Sequence, residues 1–194
     1  MIRVFAFGLA AIAVASLLGG GAATAARDGQ RLDWRSLSLV DIAGVPLDPA
    51  TFEGRVVLVV NTASRCAFTP QYDGLEALWD RYRGRGLVVL GVPSNDFGNQ
   101  EPGSNEDIAR FCQSTFGVSF PMTGKASVIG PNAHPVFRWA REVGGRAAVP
   151  GWNFHKLLID RDGRLVGTFT SYQRPDTPEV TTAVERALAA APGS

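Results

Sequence analysis

The sequence predicts an α/β fold in which a central mixed β-sheet lies between two layers of helices. Two apolar runs rich in β-branched residues, 56–60 and 87–92, are typical of strands that are buried on both faces. Between them, apolar residues recur at helical spacing from Tyr72 to Tyr82. This β-α-β unit implies two adjacent parallel strands joined by a right-handed crossover.

Shorter elements complete the chain. The remaining predicted strands alternate apolar with polar residues and cover 37–42, part of 120–128, 154–160 and 165–170. Three further helices are predicted, one beginning at Ser104 or Asn105, one over 133–143 and one over 178–191. An order of β-α-β, then α, then a β-hairpin and a final α is that of a thioredoxin-like, three-layer fold.

The first residues predict a secretory signal peptide over 1–25. A positive start at Arg3 precedes an apolar run over 4–18, and Ala23-Thr-Ala25 is a small-x-small cleavage pattern. We expect cleavage after Ala25, export to the periplasm or the cell exterior, and one mature domain over 26–194. The alternative is an uncleaved leader that acts as a membrane anchor.

Composition excludes several function classes. The chain holds 19 basic and 18 acidic residues, so no strong charge favours nucleic acid or an anionic membrane surface. The two histidines, His134 and His155, have no partner at metal-ligand spacing. No nucleotide fingerprint occurs either, so no metal or cofactor is expected.

Cys66 is the candidate nucleophile. It follows the first buried strand directly, and ligands of open α/β sheets collect at the carboxyl ends of strands. Thr69-Pro70 opens the next helix, with Thr69 able to cap it. The positive helix start and the neighbouring Arg65 favour a thiolate. The alternative for a lone cysteine is a buried structural residue.

Three segments resemble the signatures of the glutathione peroxidase family. They are Asn61-Thr-Ala-Ser-Arg-Cys66-Ala-Phe-Thr-Pro-Gln-Tyr72, the run from Gly86 to Gly103 with its Asn99-Gln100-Glu-Pro-Gly end, and Trp152-Asn153-Phe154. The resemblance implies a peroxidase with a catalytic tetrad of Cys66, Gln100, Trp152 and Asn153. This sequence departs from the family pattern at Asp96, where Gln is usual, and at Ala67, where Gly is frequent.

The chemistry of these residue types fits that implication. A thiolate splits the O–O bond of a peroxide and becomes a sulfenic acid. The side-chain amides of Gln100 and Asn153 and the indole N–H of Trp152 are neutral donors that stabilise charge on sulfur and on the leaving oxygen.

The resemblance also implies how the enzyme is reduced. Members with a second cysteine on the helix after the Gln-Glu-Pro-Gly motif form an intramolecular disulfide, which a thioredoxin-like protein reduces. Cys112 falls close to that place, so it is the candidate resolving cysteine, with glutathione as the alternative reductant. The segment 143–151 is short, whereas tetrameric members of the family carry a longer subunit-contact loop there. The resemblance therefore implies a monomer that accepts varied hydroperoxides.

Two other functions remain open at this point. A thiol–disulfide oxidoreductase would use Cys-x-x-Cys, but position 69 is Thr. A non-enzymatic domain would hold Cys66 and Cys112 in a structural disulfide, as exported proteins often do.

Overall fold

The computed structural model describes residues 31–191, so the predicted leader over 1–25 lies outside the described residues. The strands are β1 (Val56–Thr62), β2 (Leu87–Pro93), β3 (Lys156–Ile159) and β4 (Leu165–Phe169). The helices are α1 (Gln71–Tyr82), α2 (Asn105–Phe116), α3 (Pro135–Gly144) and α4 (Pro178–Ala189). Within residues 31–191, none of the helices has the length and apolarity that a membrane span requires.

The four strands form one mixed sheet in the order β2-β1-β3-β4. β1 pairs in parallel with β2, and Val56 lies opposite Leu87. β1 pairs in antiparallel fashion with β3, which continues as a hairpin into β4. All seven residues of β1 are buried, which explains the unbroken apolar run that predicted it. The prediction of a central mixed sheet is therefore confirmed.

Alternating side chains of β1 contribute to two cores, one on each face of the sheet. Val56, Leu58 and Val60 pack with residues of α1, α2 and α4. Val57 and Val59 pack with residues of α3 and with the segment that precedes β1. Because successive residues of a strand point to opposite faces, one short strand fills both cores. The three-layer prediction is confirmed.

The prediction of a strand over 37–42 is wrong. This segment makes only single bridges, from Val40 to Pro46 and from Asp41 to Thr123. The carboxylate of Asp41 accepts hydrogen bonds from the backbone N–H groups of Ala43 and Val45, which closes a tight turn. Pro46 has no N–H to extend a ladder on the opposite side. The alternation of apolar and polar residues was present, but no partner strand was.

Two other boundaries differ in detail. The strand expected within 120–128 is reduced to two isolated bridges, a parallel one between Met122 and Gly91 of β2 and the antiparallel one between Thr123 and Asp41. At α2, the choice between two caps is decided for Ser104. Its hydroxyl accepts from the backbone N–H of Asp107, and the Asp107 carboxylate accepts from the backbone N–H of Ser104, which is a capping box.

The pH dependence of stability is predicted from His155, which precedes β3 and is 4% exposed. Burial, with a smaller effect of Lys156, lowers its pKa from 6.5 to about 4. The unfolded chain therefore binds a proton first as the pH falls, and stability present above pH 6.5 is lost toward pH 4. We expect His155→Leu to reduce this acid-dependent loss of unfolding free energy by up to about 3 kcal/mol.

Urea unfolding of both proteins at pH 7.5, 6, 5 and 4.5 measures this difference. Equal pH slopes for the variant and the wild type would show that His155 is not buried in its neutral form.

Candidate active site

Cys66 lies in a tight turn that Thr69 closes. The Thr69 hydroxyl accepts from the backbone N–H of Cys66 at 3.0 Å and donates to the carbonyl of Ala63 at 2.8 Å. The expectation that Thr69 caps α1 is therefore wrong. The N-cap position is Pro70, and no side chain makes the capping bond. The threonine hydroxyl instead bonds the backbone of Cys66, three residues earlier, and so orders the turn that carries this candidate nucleophile.

Cys66 lies in the turn that leads into α1 and is 8% exposed. The backbone N–H of Phe68 donates to the sulfur at 3.4 Å. A backbone donor at this place stabilises negative charge on sulfur. The ring of Phe68 packs edge-on against Tyr172 at 5.2 Å between centroids, so the two rings form an apolar wall beside the turn.

Gln100 and Asn153 are joined by their side-chain amides. The amide nitrogen of Asn153 donates to the amide oxygen of Gln100 at 2.9 Å. Because the oxygen of Gln100 is engaged, its NH₂ group remains the donor that it offers to the site. The carbonyl of Gln100 also accepts from the backbone N–H of Arg65 at 3.0 Å, which ties this loop to the residue next to Cys66.

Trp152 lies over the same loop and is 39% exposed, so its indole can meet a substrate. It packs against Phe97 at 5.8 Å between ring centroids. Gly98 lies beneath both Trp152 and Gln100, since a Cβ at this glycine would be 3.5 Å from the Gln100 amide nitrogen and from the Trp152 ring. The structure thus groups Gln100, Trp152 and Asn153, and the Arg65–Gln100 bond connects this group to the Cys66 turn.

Asn61 is a site residue to which the sequence analysis gave no role. Its side-chain nitrogen donates to the carbonyl of Trp152 at 3.1 Å, and its side-chain oxygen accepts from the backbone N–H of His155 at 2.9 Å. Its own carbonyl accepts from the backbone N–H of Phe154 at 2.6 Å. The signal in the sequence was an asparagine placed directly after the apolar run of a buried strand. The structure shows that this asparagine is fully buried, where a polar side chain requires hydrogen-bond partners.

The two departures from the family pattern have simple structural accounts. The carboxylate of Asp96 accepts from the backbone N–H groups of Val128 and Ile129, at 2.6 and 3.2 Å. It therefore anchors the loop that carries Gln100 to the segment before α3. Ala67 is exposed, so its methyl group projects from the Cys66 turn without displacing a neighbour.

Cys112 lies on the inner face of α2 and is 1% exposed, as its position in the apolar pattern predicted. Burial raises the pKa of its thiol to about 11, with a smaller raising effect from Glu101 and a lowering effect from Tyr72. Both Cys66 and Cys112 are free thiols. The closed helix therefore holds Cys112 as a protonated thiol in the core.

A groove of about 500 Å³ adjoins the site, and Trp152 and Tyr172 lie along it. Val149 and His155 line it too, and Arg146 supplies a cation. Across the described range 31–191, no group of three or more His, Cys, Asp or Glu side chains is arranged to hold a metal ion.

Comparison with solved structures identifies the class of the fold. The chain is similar to the crystal structure of the apo form of Trgpx, with a TM-score of 0.63 and 34% identity over 81% of this chain and 95% of that one. It also resembles a thiol:disulfide interchange protein of the thioredoxin family from Chlorobium tepidum, with a TM-score of 0.58, 17% identity, and coverage of 77% and 90%. The second likeness shows the fold alone. The predicted thioredoxin-like fold is confirmed.

Sequence comparison gives the family within that class. A model of the family described as "Glutathione peroxidase" matches residues 35–141. A hydroperoxy fatty acid reductase from Synechocystis is 45% identical over 75% of this chain and 89% of its own length. A glutathione peroxidase-like peroxiredoxin from Schizosaccharomyces pombe is 46% identical over 70% of this chain and 87% of its own length. This chain belongs to the glutathione peroxidase family, and the prediction of a thiol-dependent peroxidase is confirmed.

The importance of Asn61 is testable by Asn61→Ala. The carbonyl of Trp152 and the N–H of His155 would lose their partners, and a buried group without a partner costs about 1–3 kcal/mol. We expect a loss of about 2–4 kcal/mol in unfolding free energy and at least a tenfold lower rate of peroxide reduction, since the Trp152–Asn153 loop is no longer held. Urea unfolding and peroxide consumption measure the two effects.

The matched control is Asn132→Ala at an exposed asparagine, which should change neither quantity. An Asn61→Ala protein with wild-type stability and rate would show that other contacts hold the loop.

Proposed function

We propose that this enzyme reduces hydroperoxides in a two-cysteine cycle, with Cys66 as the peroxidatic residue and Cys112 as the resolving residue. The observation that carries the proposal is the backbone bond between Arg65 and Gln100. It joins the turn of the only cysteine at a strand end to the Gln100–Asn153–Trp152 group. A nucleophile and its donors are thereby held on one rigid edge of the sheet.

The first step is attack by the Cys66 thiolate on one oxygen of the hydroperoxide. A sulfur–oxygen bond forms while the O–O bond breaks, and the departing oxygen takes a proton to leave as an alcohol or as water. Cys66 is oxidised to a sulfenic acid and the peroxide is reduced. The NH₂ group of Gln100 and the indole N–H of Trp152 donate to the charge that develops on the leaving oxygen.

The second step is attack by Cys112 on the sulfenic acid, which forms a disulfide and releases water. Cys112 is buried within α2, so this helix opens locally before the two sulfurs meet. A thioredoxin-like protein then reduces the disulfide by thiol–disulfide exchange. The relatives named as peroxiredoxins support this reductant, and glutathione is the alternative.

The groove beside Trp152 supports organic hydroperoxides as substrates alongside hydrogen peroxide. Its Val149, Trp152 and Tyr172 side chains offer apolar contact for a carbon chain. The relative from Synechocystis that is named a hydroperoxy fatty acid reductase supports the same substrate class. We infer that the chain acts as a monomer, because the segment 143–151 is shorter than the subunit-contact loop of tetrameric members of the family.

The cycle predicts different losses for the two cysteine variants. Cys66→Ser removes the nucleophile and should abolish peroxide consumption with every reductant. Cys112→Ser should still form a sulfenic acid on Cys66 but lose thioredoxin-dependent turnover by about 100-fold or more, since no disulfide is presented to the reductant. Coupled assays with thioredoxin or glutathione measure turnover, and intact mass identifies the oxidised state.

Three results would contradict the cycle. A wild-type protein that leaves peroxide untouched would favour a domain with a structural disulfide. A Cys112→Ser protein that keeps full thioredoxin-dependent turnover would show a one-cysteine mechanism. Disulfide exchange without peroxide consumption would favour a thiol–disulfide oxidoreductase.

We also propose that the chain is exported and that its leader is removed after Ala25. The support is the sequence pattern of a basic start, an apolar run and Ala23-Thr-Ala25. Expression of the full chain in a bacterium with a periplasm should yield a periplasmic protein whose mass begins at Ala26. Ala25→Leu should block the cleavage, because the enzyme that cuts leaders requires a small residue there. Recovery of a protein that begins at Met1 in the wild type would contradict cleavage.

A further inference from the structure

A group of polar atoms without hydrogen-bond partners lies between the Cys66 loop and α2. They are Thr62 Oγ1, Ser64 Oγ, the Tyr72 hydroxyl and both carboxylate oxygens of Glu101. Each is shielded from solvent, and none makes a hydrogen bond of ordinary geometry with the described residues. Ser64 is nonetheless near enough to shift the pKa of Glu101, and Thr62 and Cys112 are near enough to shift that of Tyr72. Buried polar atoms without partners are rare in folded proteins, so a set of them in one place calls for a reason.

Glu101 is the most unusual member, because it is a carboxyl group that is 1% exposed. The nearby Lys125 does not neutralise it by direct contact, since its ammonium group donates to the carbonyls of Glu101 and Gly103. Burial raises the pKa of Glu101, while Ser64 and the charges of Lys125 and Arg65 oppose this effect. The net direction of the pKa is upward, so burial favours the protonated carboxyl group more than water does.

The carboxyl group of Glu101 lies close to the second cysteine. Its charge raises the pKa of both Tyr72 and Cys112, so it lies within electrostatic range of the inner face of α2. Glu101 also lines a cavity of about 150 Å³ between the two segments, with Ser64 and Arg65 on one side and Ile108 on the other. The group is therefore placed where the peroxidatic loop meets the helix that carries Cys112.

The closed helix is destabilised by this arrangement. Each buried polar group without a partner costs about 1–3 kcal/mol relative to the same group in water. When α2 opens, water reaches Glu101, Tyr72 and their neighbours, and this cost disappears. The same opening frees Cys112, whose thiol is otherwise enclosed in the core.

We propose that Glu101 is a positioning residue for the second step. Its carboxyl group, unpaired in the closed structure and hydrated when α2 opens, shifts this helix toward the arrangement in which Cys112 attacks oxidised Cys66. The inference rests on the two-cysteine cycle proposed above. In that step the sulfur–sulfur bond forms as the sulfur–oxygen bond of Cys66 breaks. The thiol proton of Cys112 and the released hydroxyl leave together as water, so Cys112 is oxidised and the sulfenic acid is reduced.

The proposal has a defined pH dependence. The pKa of Glu101 is raised above its ordinary value of 4.5 in the closed form and returns to it on opening. Between these two values opening releases a proton, so it becomes more favourable by up to about tenfold for each pH unit and levels off above the raised pKa. The charged and titratable groups that face Glu101 are Arg65, Lys125, Tyr72 and Cys112, and burial raises the pKa of both Tyr72 and Cys112.

The test combines two measurements on the reduced protein and its Glu101→Gln variant from pH 4.5 to 8. Hydrogen exchange, corrected for intrinsic rates, gives the opening equilibrium of α2, with α4 as the internal reference. Rapid quenching after one equivalent of hydrogen peroxide gives the rates of Cys66 oxidation and of Cys66–Cys112 disulfide formation. Glu142→Gln is the control, because Glu142 is an exposed acid on α3, a helix that does not contribute to the Glu101 region.

We expect wild-type α2 to open more as the pH rises, and Glu101→Gln to remove that dependence. Disulfide formation at pH 7 should slow by up to about tenfold in Glu101→Gln, because the amide cannot release the proton that favours opening. Cys66 oxidation and the control should be unchanged. Glu101→Met leaves no polar group at this position, so it should shift the opening equilibrium of α2 further toward the closed form. This variant keeps the test valid if Glu101→Gln folds poorly.

Two results overturn the proposal and are distinguishable. Wild-type opening and disulfide rates in both Glu101 variants would overturn the role of Glu101 alone. Absence of any Cys66–Cys112 disulfide in the oxidised wild type would overturn the two-cysteine cycle and, with it, the role of Glu101 in resolution.

Discussion

The hydrogen bonds of Asn61 are the constraint on which the site depends. At the end of β1, its side chain and backbone hold Trp152, Phe154 and His155 against the first strand. The loop so held carries Trp152 and Asn153, and Asn153 in turn orients the amide of Gln100. Because these are directional bonds within a buried region, loss of one amide would release donors from two distant parts of the chain.

Some buried polar groups in this enzyme have hydrogen-bond partners and others do not. The difference between Asn61 and Glu101 agrees with the roles proposed for the regions around them. Asn61 has a hydrogen-bond partner for each of its side-chain polar atoms and holds the Trp152–Asn153 loop in place, as the proposed first step requires. Glu101 has no hydrogen bond of ordinary geometry to its carboxyl group and lies beside α2, the helix that opens in the proposed second step. A low-dielectric interior strengthens a satisfied bond and raises the cost of an unsatisfied group, so the same environment stabilises one region and loosens its neighbour.

Much of the architecture was predictable because it follows from local patterns. The fully buried β1 and β2 showed as continuous apolar runs, and α1 as helical spacing. The errors arose where a polar side chain had two possible uses. Asp41 closes a turn instead of lying in a strand, and Thr69 orders the Cys66 turn instead of capping α1. Such choices depend on which donors are near in three dimensions, and local sequence does not contain that information.

The sequence by itself determined the layered α/β fold and the family, and it supplied the candidate nucleophile Cys66 and its candidate partners Gln100, Trp152 and Asn153. Each rests on residue type and spacing, which are local properties. Only the tertiary structure decided the position of Asn61 as the anchor of the Trp152 loop and the burial of Glu101 beside Cys112. Both depend on contacts between segments tens of residues apart, and hydrogen bonding and desolvation are set by those contacts.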